Sequence, residues 1–286
     1  MPGKDIRTEE GVKAIFARVN AFLGHGVEWG PLKHEDSAGI SNLLFRGGYE
    51  QERLVLRINV SEKRSFGVSR HLEAVVLAMI EGYDWAPKIV HNAWREGWCL
   101  MKDYEGMGST PTLGDDYFNI QHQILCAVND WQSIPHLPEA DYDYDALFRR
   151  YRRAVARFPI GHTRSFCLDL LTQIESGLTE LPEVPVCLTH HDLHPGNVCW
   201  SHGQPIILDW EYGGFGNPWF DAQALHSQFG VSPAVIQNLT AFESLSNKDF
   251  ISGLAEVQWI AEALGEIWLL VKSEGVAIDV ESDPEL

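Results

Sequence analysis

The segment at 190–211 constrains the fold of this chain more than any other part of it. It reads HHDLHPGNVCWSHGQPIILDWE and follows a short apolar run at 186–189. Within it, apolar runs at 198–200 and 205–208 flank a His-Gly pair that is typical of a tight turn. We therefore predict a strand, a polar loop and a hairpin, with Asp209 at the end of the second hairpin strand.

The polar residues of this segment fit phosphoryl transfer. That reaction needs a carboxylate to orient the attacking hydroxyl and accept its proton, and it needs oxygen ligands for magnesium. Asp192 and Asn197 lie on one loop and Asp209 on the neighbouring hairpin, so together they supply both. Taken singly, Asp192 or Asn197 could satisfy hydrogen bonds of an ordinary turn. The set of three favours catalysis.

The rest of the chain divides into a strand-rich part and a helical part. A Gly47-Gly48 pair predicts a hairpin turn between the first two strands. The pattern indicates an α+β fold with a small β-rich lobe at 1–103 and a larger helical lobe at 104–286. The predicted elements are helices at 9–23 and 67–81, strands at 40–46, 53–59, 88–91 and 97–103, helices at 117–132, 143–158 and 163–178, and a mostly helical tail from 232.

The charge of the chain disfavours nucleic acid as a partner. There are 40 acidic and 22 basic residues, which gives a net charge of −18, whereas binding to a phosphate backbone needs clustered Lys and Arg. An acidic cleft would instead concentrate a small cationic substrate. Taken alone, the charge is better explained by solubility. The oligomeric state is left open.

The sequence also favours a cytoplasmic protein without a membrane partner. Its first residues are charged and lack an apolar signal core. The apolar stretch at 259–271 is interrupted by Glu262 and Glu266 and is too short to span a bilayer. The five cysteines are scattered with no CxxC pair, which predicts reduced, mostly buried thiols.

Three stretches of sequence resemble a known family. LTHHDLHPGNVCW and PIILDWEYGGFGNPWFDAQAL are similar to the catalytic core of the aminoglycoside phosphotransferase and choline kinase superfamily. DWEY followed by FD resembles the choline/ethanolamine kinase and thiamine kinase branch, and SAGISNLLFRG resembles the phosphate-covering loop of choline kinases. The resemblance spans 36–271. It implies a two-lobed, protein-kinase-like fold and a kinase that uses ATP and Mg²⁺.

The resemblance implies a role for each matching residue of the catalytic segment. Asp192 would be the catalytic base, and Asn197 and Asp209 would hold magnesium. Glu211 would bind a second metal ion or order its loop, and the two readings have equal weight. His190 and Asp221 would brace the loop.

A second set of matching residues would bind the nucleotide. Arg57 stands where many kinases have a phosphate-binding Lys, and Glu73 on the following helix would pair with it. Arg57 could instead be a solubilising residue of an edge strand. Two further groups complete the implied nucleotide site: Gly39, Ser41 and Asn42 over the phosphates, and a hinge from Met101 through Asp103 to Tyr104.

The implied acceptor is a small cationic alcohol. Trp268 would match one position of an aromatic cage that holds a quaternary ammonium, although core packing explains this Trp equally well. Gly265 stands where a second cage Trp is expected, so thiamine, ethanolamine and aminoglycosides remain alternatives to choline. A nucleotide-binding pseudokinase scaffold is the rival class. A protein Ser/Thr kinase fits less well, because DWEY replaces the DFG motif of those enzymes.

Overall fold

The structure is a computed structural model that describes residues 8–32, 42–59, 67–104 and 117–273. Gly39 and Ser41, which are predicted to lie over the phosphates, fall outside the described residues.

The small lobe is built on an antiparallel sheet of five strands with the order β1-β2-β3-β5-β4. Helix α1 (Glu9–Leu23) precedes the sheet, and α2 (Arg70–Met79) connects β3 to β4. The predicted helices are therefore confirmed, the second with shorter bounds. The strands are β1 (Gly30–Pro31), β2 (Leu43–Tyr49), β3 (Glu52–Ile58), β4 (Ile89–Ala93) and β5 (Trp98–Lys102).

Helix α1 covers one face of this sheet. Ile15 and Val19 of the helix are buried in one apolar cluster with Leu56 and Ile58 of β3. Because side chains alternate across a strand, this packing turns Arg57 to the opposite face, toward the large lobe. Helix α1 therefore caps the small lobe.

The predicted turn at Gly47-Gly48 is wrong. Both glycines lie inside β2, where Gly47 pairs with Leu54, and the chain turns at Glu50, which has a φ of 54°. Gly47 is needed for a close approach. A Cβ at this position would lie 2.5 Å from Cγ1 of Val27.

The two neighbouring glycines give a matched test of this packing. We expect Gly47→Ala to lower the free energy of unfolding by about 1–3 kcal/mol, because the added methyl group overpacks a filled site. A Cβ at Gly48 would meet none of the described atoms within 4 Å, so Gly48→Ala should stay within about 0.5 kcal/mol of the parent protein. Urea denaturation measures both. Equal effects would contradict the packing argument.

The large lobe consists of helices around two short strand pairs. The strand, loop and hairpin predicted around 190–211 are confirmed as β6, the following loop, and the β7–β8 pair. The elements are α3 (Tyr117–Gln132), α4 (Tyr144–Val155), α5 (His162–Glu180), β6 (Cys187–Thr189), β7 (Val198–Ser201), β8 (Gln204–Ile207), β9 (Gly214–Gly216), α6 (Trp219–Phe229), α7 (Pro233–Ile236) and α8 (Asn247–Ser273).

Helix α6 and strand β9 were not predicted. Most of α6 is buried, including Trp219, Phe220, Ala222 and Leu225, so the helix lacks the polar face that produces a periodic pattern. Strand β9 has only three residues, two of them glycine, and pairs with β6. Strand β9 carries no local signal, whereas α6 has Pro218 directly before it and Gly230, with a φ of 65°, directly after it, and the prediction missed both.

The α+β, two-lobed architecture agrees with the sequence prediction. The larger apolar cluster fills the helical lobe and also includes Val76 and Leu77 of α2, so the apolar cores alone do not mark a boundary at residue 103. The division into two domains stays a prediction. All five cysteines are free thiols, four of them buried. In the part of the chain that the structure describes, no helix is long and apolar enough to cross a bilayer.

Candidate active site

A buried carboxylate holds the loop that follows β6. Asp221 of α6 accepts hydrogen bonds from the backbone N–H groups of His190 (3.0 Å) and His191 (3.2 Å) and from Nε1 of Trp131 (2.9 Å). Burial raises the pKa of Asp221 to about 6, and these three donors limit the rise. Asp221 therefore joins α3, α6 and the loop, as its predicted role as a brace requires.

Replacing Asp221 tests this arrangement. Asp221→Asn keeps the shape of the side chain but sets an amide N–H₂ against one of three N–H donors. We expect the free energy of unfolding to fall by about 2 kcal/mol, because a buried donor is left without an acceptor. Urea denaturation measures the loss. A variant as stable as the parent protein would show that these bonds do not brace the loop.

His190 connects the loop to the β7–β8 hairpin. Its Nε2–H donates to the carbonyl oxygen of Leu208 (2.8 Å), and its Nδ1 accepts from the N–H of Asp192 (3.3 Å). Burial lowers the pKa of His190 to about 4, so the ring is neutral at neutral pH. The ring thereby fixes Asp192 relative to Asp209, which follows Leu208.

Asn197, the predicted magnesium ligand, is held in place by Asp192, the predicted catalytic base. Its side-chain nitrogen donates to the backbone oxygen of Asp192 (2.9 Å) and to Oδ2 of the same residue (3.2 Å). Both bonds use the nitrogen, so the amide oxygen is the atom that Asn197 presents to a cation. Partial burial raises the pKa of Asp192 above its ordinary value.

Asp209 lies opposite the predicted phosphate-binding residue. Its backbone is left-handed, with a φ of 57°, a conformation that Asp adopts more readily than most residues. Its Oδ1 is 3.5 Å from Nη1 of Arg57. Desolvation and the nearby Glu211 raise the pKa of Asp209, and the 37% exposure of the side chain tempers this shift.

Arg57 and Glu73 form the predicted ion pair. Nη2 of Arg57 is 2.6 Å from Oε1 of Glu73, and Nε donates to Asn59 (3.0 Å). Burial alone would raise the pKa of Glu73, but Arg57 and Arg70 outweigh it and lower the pKa. Arg57 is buried in β3, the central strand of the sheet, and is not a solubilising edge residue.

The donor set of the site suits a magnesium ion. Asp209 and Asn197 offer carboxylate and amide oxygens, which are the ligands that this hard cation prefers. The carboxylates also outnumber the fixed cations, so the site favours added positive charge. Two guanidinium groups, Arg57 and Arg70, face four carboxylates, Glu73, Asp192, Asp209 and Glu211.

The predicted hinge lies at the end of β5. The N–H of Asp103 bonds to the backbone oxygen of Arg53 (2.9 Å), and its buried carboxylate is 2.6 Å from Nε of Arg46. Met101 is paired within the sheet. Tyr104 packs with Leu208 of the hairpin in a small apolar cluster. The N–H of Asp103 is therefore already bonded within the small lobe, and the adenine contact of this stretch stays a prediction.

His191 is predicted from the sequence to pack within the loop or to border the substrate, and its side chain contacts three separate segments. Its Nδ1–H donates to the carbonyl oxygen of Tyr212 (2.9 Å), and its Nε2 accepts from the hydroxyl of Tyr144 (2.6 Å). The ring of Tyr142 stacks on it with a centroid distance of 4.3 Å. Burial lowers the pKa of His191 to about 3, so the ring stays neutral. No local spacing signals these partners.

Trp268 lies within α8, away from these contacts. Its ring packs against the core of the helical lobe, and Nζ of Lys272 is 4.3 Å from the ring centroid. The cage role of Trp268 stays a prediction. The aromatic rings that contact His190 and His191 of the loop belong to Tyr142, Tyr144, Trp131, Trp210 and Phe220.

The fold and this loop define a kinase-like phosphotransferase, and the chain belongs to the phosphotransferase enzyme family APH, whose family model matches residues 34–253. It is a small-molecule phosphotransferase. No curated protein sequence was found to match it.

Solved structures show the same fold at low sequence identity. Choline kinase LicA from Streptococcus pneumoniae is 18% identical with a TM-score of 0.66, over 93% of this chain and 92% of LicA. An ethanolamine kinase from Plasmodium vivax is 13% identical with a TM-score of 0.64, over 93% and 84%. The phosphotransferase APH(2")-IIa, in a ternary complex with streptomycin and ATP, is 14% identical with a TM-score of 0.60, over 91% and 94%.

Proposed function

We propose that this phosphotransferase uses Mg·ATP to phosphorylate the hydroxyl group of a small cationic alcohol, of the choline, ethanolamine or thiamine kind. The observation that carries the proposal is the position of Asp192, which shares one braced loop with Asn197 and is linked through His190 to Leu208, the residue directly before Asp209. Solved structures of this fold with AMP, ADP or ATP support the nucleotide.

Each residue of the site has a defined task in this reaction. Asp192 orients the acceptor hydroxyl for in-line attack and accepts its proton. Arg57 holds the phosphates, while its ion pair with Glu73 fixes the guanidinium. Magnesium held by Asn197 and Asp209 would neutralise charge on the nucleotide phosphates.

A cavity near His191, the residue directly before Asp192, supports a cationic acceptor. Tyr142 stacks on His191 and also lines this cavity of about 590 Å³. The wall of this cavity includes the carboxylates of Asp141 and Glu183. Aromatic faces and carboxylates are the groups that attract an organic cation.

A panel of acceptors tests the proposal. ADP release from Mg·ATP is measured with choline, ethanolamine, thiamine, an aminoglycoside and a neutral sugar. We expect one cationic alcohol to stimulate release at least about tenfold, while the sugar has no effect. If the aminoglycoside gave the strongest stimulation, the alternative substrate class would be selected. The fold shared with APH(2")-IIa supports that alternative.

Two other outcomes contradict the proposal. Stimulation by the neutral sugar alone would show that charge does not select the acceptor. Silence across the panel, with Mg·ATP still raising the melting temperature, would favour a nucleotide-binding scaffold.

A further inference from the structure

A buried arginine at the start of α2 joins the two lobes beside the catalytic segment. Nη1 of Arg70 donates to Oε2 of Glu211 (3.0 Å), and Nη2 donates to Oδ1 of Asn42 (2.9 Å). The side-chain nitrogen of Asn42 donates to the same oxygen of Glu211 (3.2 Å). We call Asn42, Arg70 and Glu211 the interlobe triad.

The interlobe triad connects the predicted phosphate loop to the predicted magnesium loop. Asn42 directly precedes β2, and Arg70 is the first residue of α2, so both belong to the small lobe. Glu211 lies in the large lobe, two residues after Asp209. Arg70 also donates to Glu73 (2.9 Å), which in turn holds Arg57. One guanidinium thus sets the position of the groups on both sides of the cleft.

The triad leaves Glu211 poorly suited to bind a metal ion. Its Oε2 accepts two hydrogen bonds, and the side chain is only 17% exposed. The adjacent guanidinium supplies the positive charge that a cation would otherwise bring. A metal ion at Oε2 would displace both donors, and one at Oε1 of the same carboxylate would still lie close to the charge of Arg70.

We propose that Glu211 anchors the interlobe triad and is not a metal ligand, and that Arg70 is a positioning residue that holds the magnesium loop against the small lobe. The proposal rests on the Mg·ATP chemistry proposed above. Its test needs no acceptor, so its failure is distinguishable from failure to find a substrate.

The first measurement is the binding of Mn²⁺ to the ADP complex. The EPR signal of free Mn²⁺ reports how much of the ion remains unbound. Gln at position 211 keeps an oxygen that can accept both triad bonds. Because both triad bonds persist, we expect Glu211→Gln to weaken Mn²⁺ binding by about tenfold at most, the low end of the effect of substituting a residue that does not touch the metal ion. Loss of a direct ligand in Asp209→Asn should weaken it by more than about 100-fold. Equal weakening in the two variants would overturn the assignment of Glu211.

The second measurement is slow ADP release from Mg·ATP with water as the acceptor. We expect Arg70→Gln to lower kcat by about 10- to 100-fold with a smaller change in the KM for ATP, because misplaced groups slow the reaction more than they weaken binding. Arg70→Lys should recover part of the loss, since an ammonium can hold Glu211 but cannot bridge all three acceptors.

A control variant tests the effect of losing an arginine ion pair elsewhere in the protein. Arg152 pairs with Glu175 between α4 and α5, so Arg152→Gln removes a half-exposed ion pair away from the site. We expect this control to leave kcat and Mn²⁺ affinity unchanged. If Arg70→Gln lowered only the melting temperature and left turnover per folded molecule at the parent value, Arg70 would be a structural brace and the positioning role would be wrong.

Discussion

Replacing Asp192 with alanine is expected to lower turnover by about 10²- to 10⁴-fold, because the acceptor hydroxyl loses the group that orients it and takes its proton. Binding of Mg·ATP should persist. Asn197 keeps its hydrogen bond to the backbone oxygen of residue 192, and Asp209 is unchanged. ADP release with the best acceptor measures turnover, and a thermal shift with Mg·ATP measures binding.

A control for this variant is available on the surface of the helical lobe. Asp169 lies on α5, away from the catalytic loop, so Asp169→Ala should keep both the turnover and the thermal shift of the parent protein. Turnover of Asp192→Ala near the parent rate would show that another group accepts the proton.

Replacing Asp209 with alanine is expected to abolish the stabilisation by Mg·ATP. A ligand at 100 times its Kd adds about 2.7 kcal/mol of stability. For a chain of this size, that should raise the melting temperature of the parent protein by roughly 5–10 °C. Without the Asp209 carboxylate the shift should fall below about 1 °C, because Asn197 alone does not hold the ion.

The fold of this variant should survive the change. Arg57 keeps its ion pair with Glu73 and its bond to Asn59, so no buried charge is left without a partner. A melting temperature in the absence of ligand checks this point. A full Mg·ATP shift in Asp209→Ala would remove Asp209 from the predicted metal site.

The family resemblance predicts the Arg57–Glu73 pair, but it does not predict the contacts of the neighbouring Arg70. The pair is predicted from motif positions, and the structure brings the two side chains within 2.6 Å. Arg70 lies three residues before Glu73 on the same helix, a spacing that places both on one face. That spacing is present in the sequence, but it does not reveal the contact with Glu211, which lies 141 residues away.

Glu211 illustrates the same limit for a single residue. Its sequence context leaves metal binding and loop ordering equally weighted. The structure surrounds one of its oxygens with Asn42 and Arg70. That arrangement is the reason for proposing that it orders the loop.

The packing of Gly47 and the partners of His191 could not be predicted from the sequence for a related reason. A glycine pair suggests a turn from local preferences, yet Gly47 is required because Val27 packs over the middle of β2. His191 looks like a loop residue in the sequence, whereas its ring bonds to Tyr144 and Tyr212 from separate parts of the lobe. Tertiary packing overrides local preference at both positions.

The sequence by itself determined the β6–loop–hairpin unit and the spacing of Asp192, Asn197 and Asp209, because a short strand, a polar loop and a tight turn are encoded by neighbouring residues. It also determined the alternation that turns Arg57 toward the cleft. The tertiary structure decided which partners Glu211, His191 and Asp221 have. Those contacts join residues far apart in the chain, and the packing of α2, α4 and α6 around the catalytic loop brings them together.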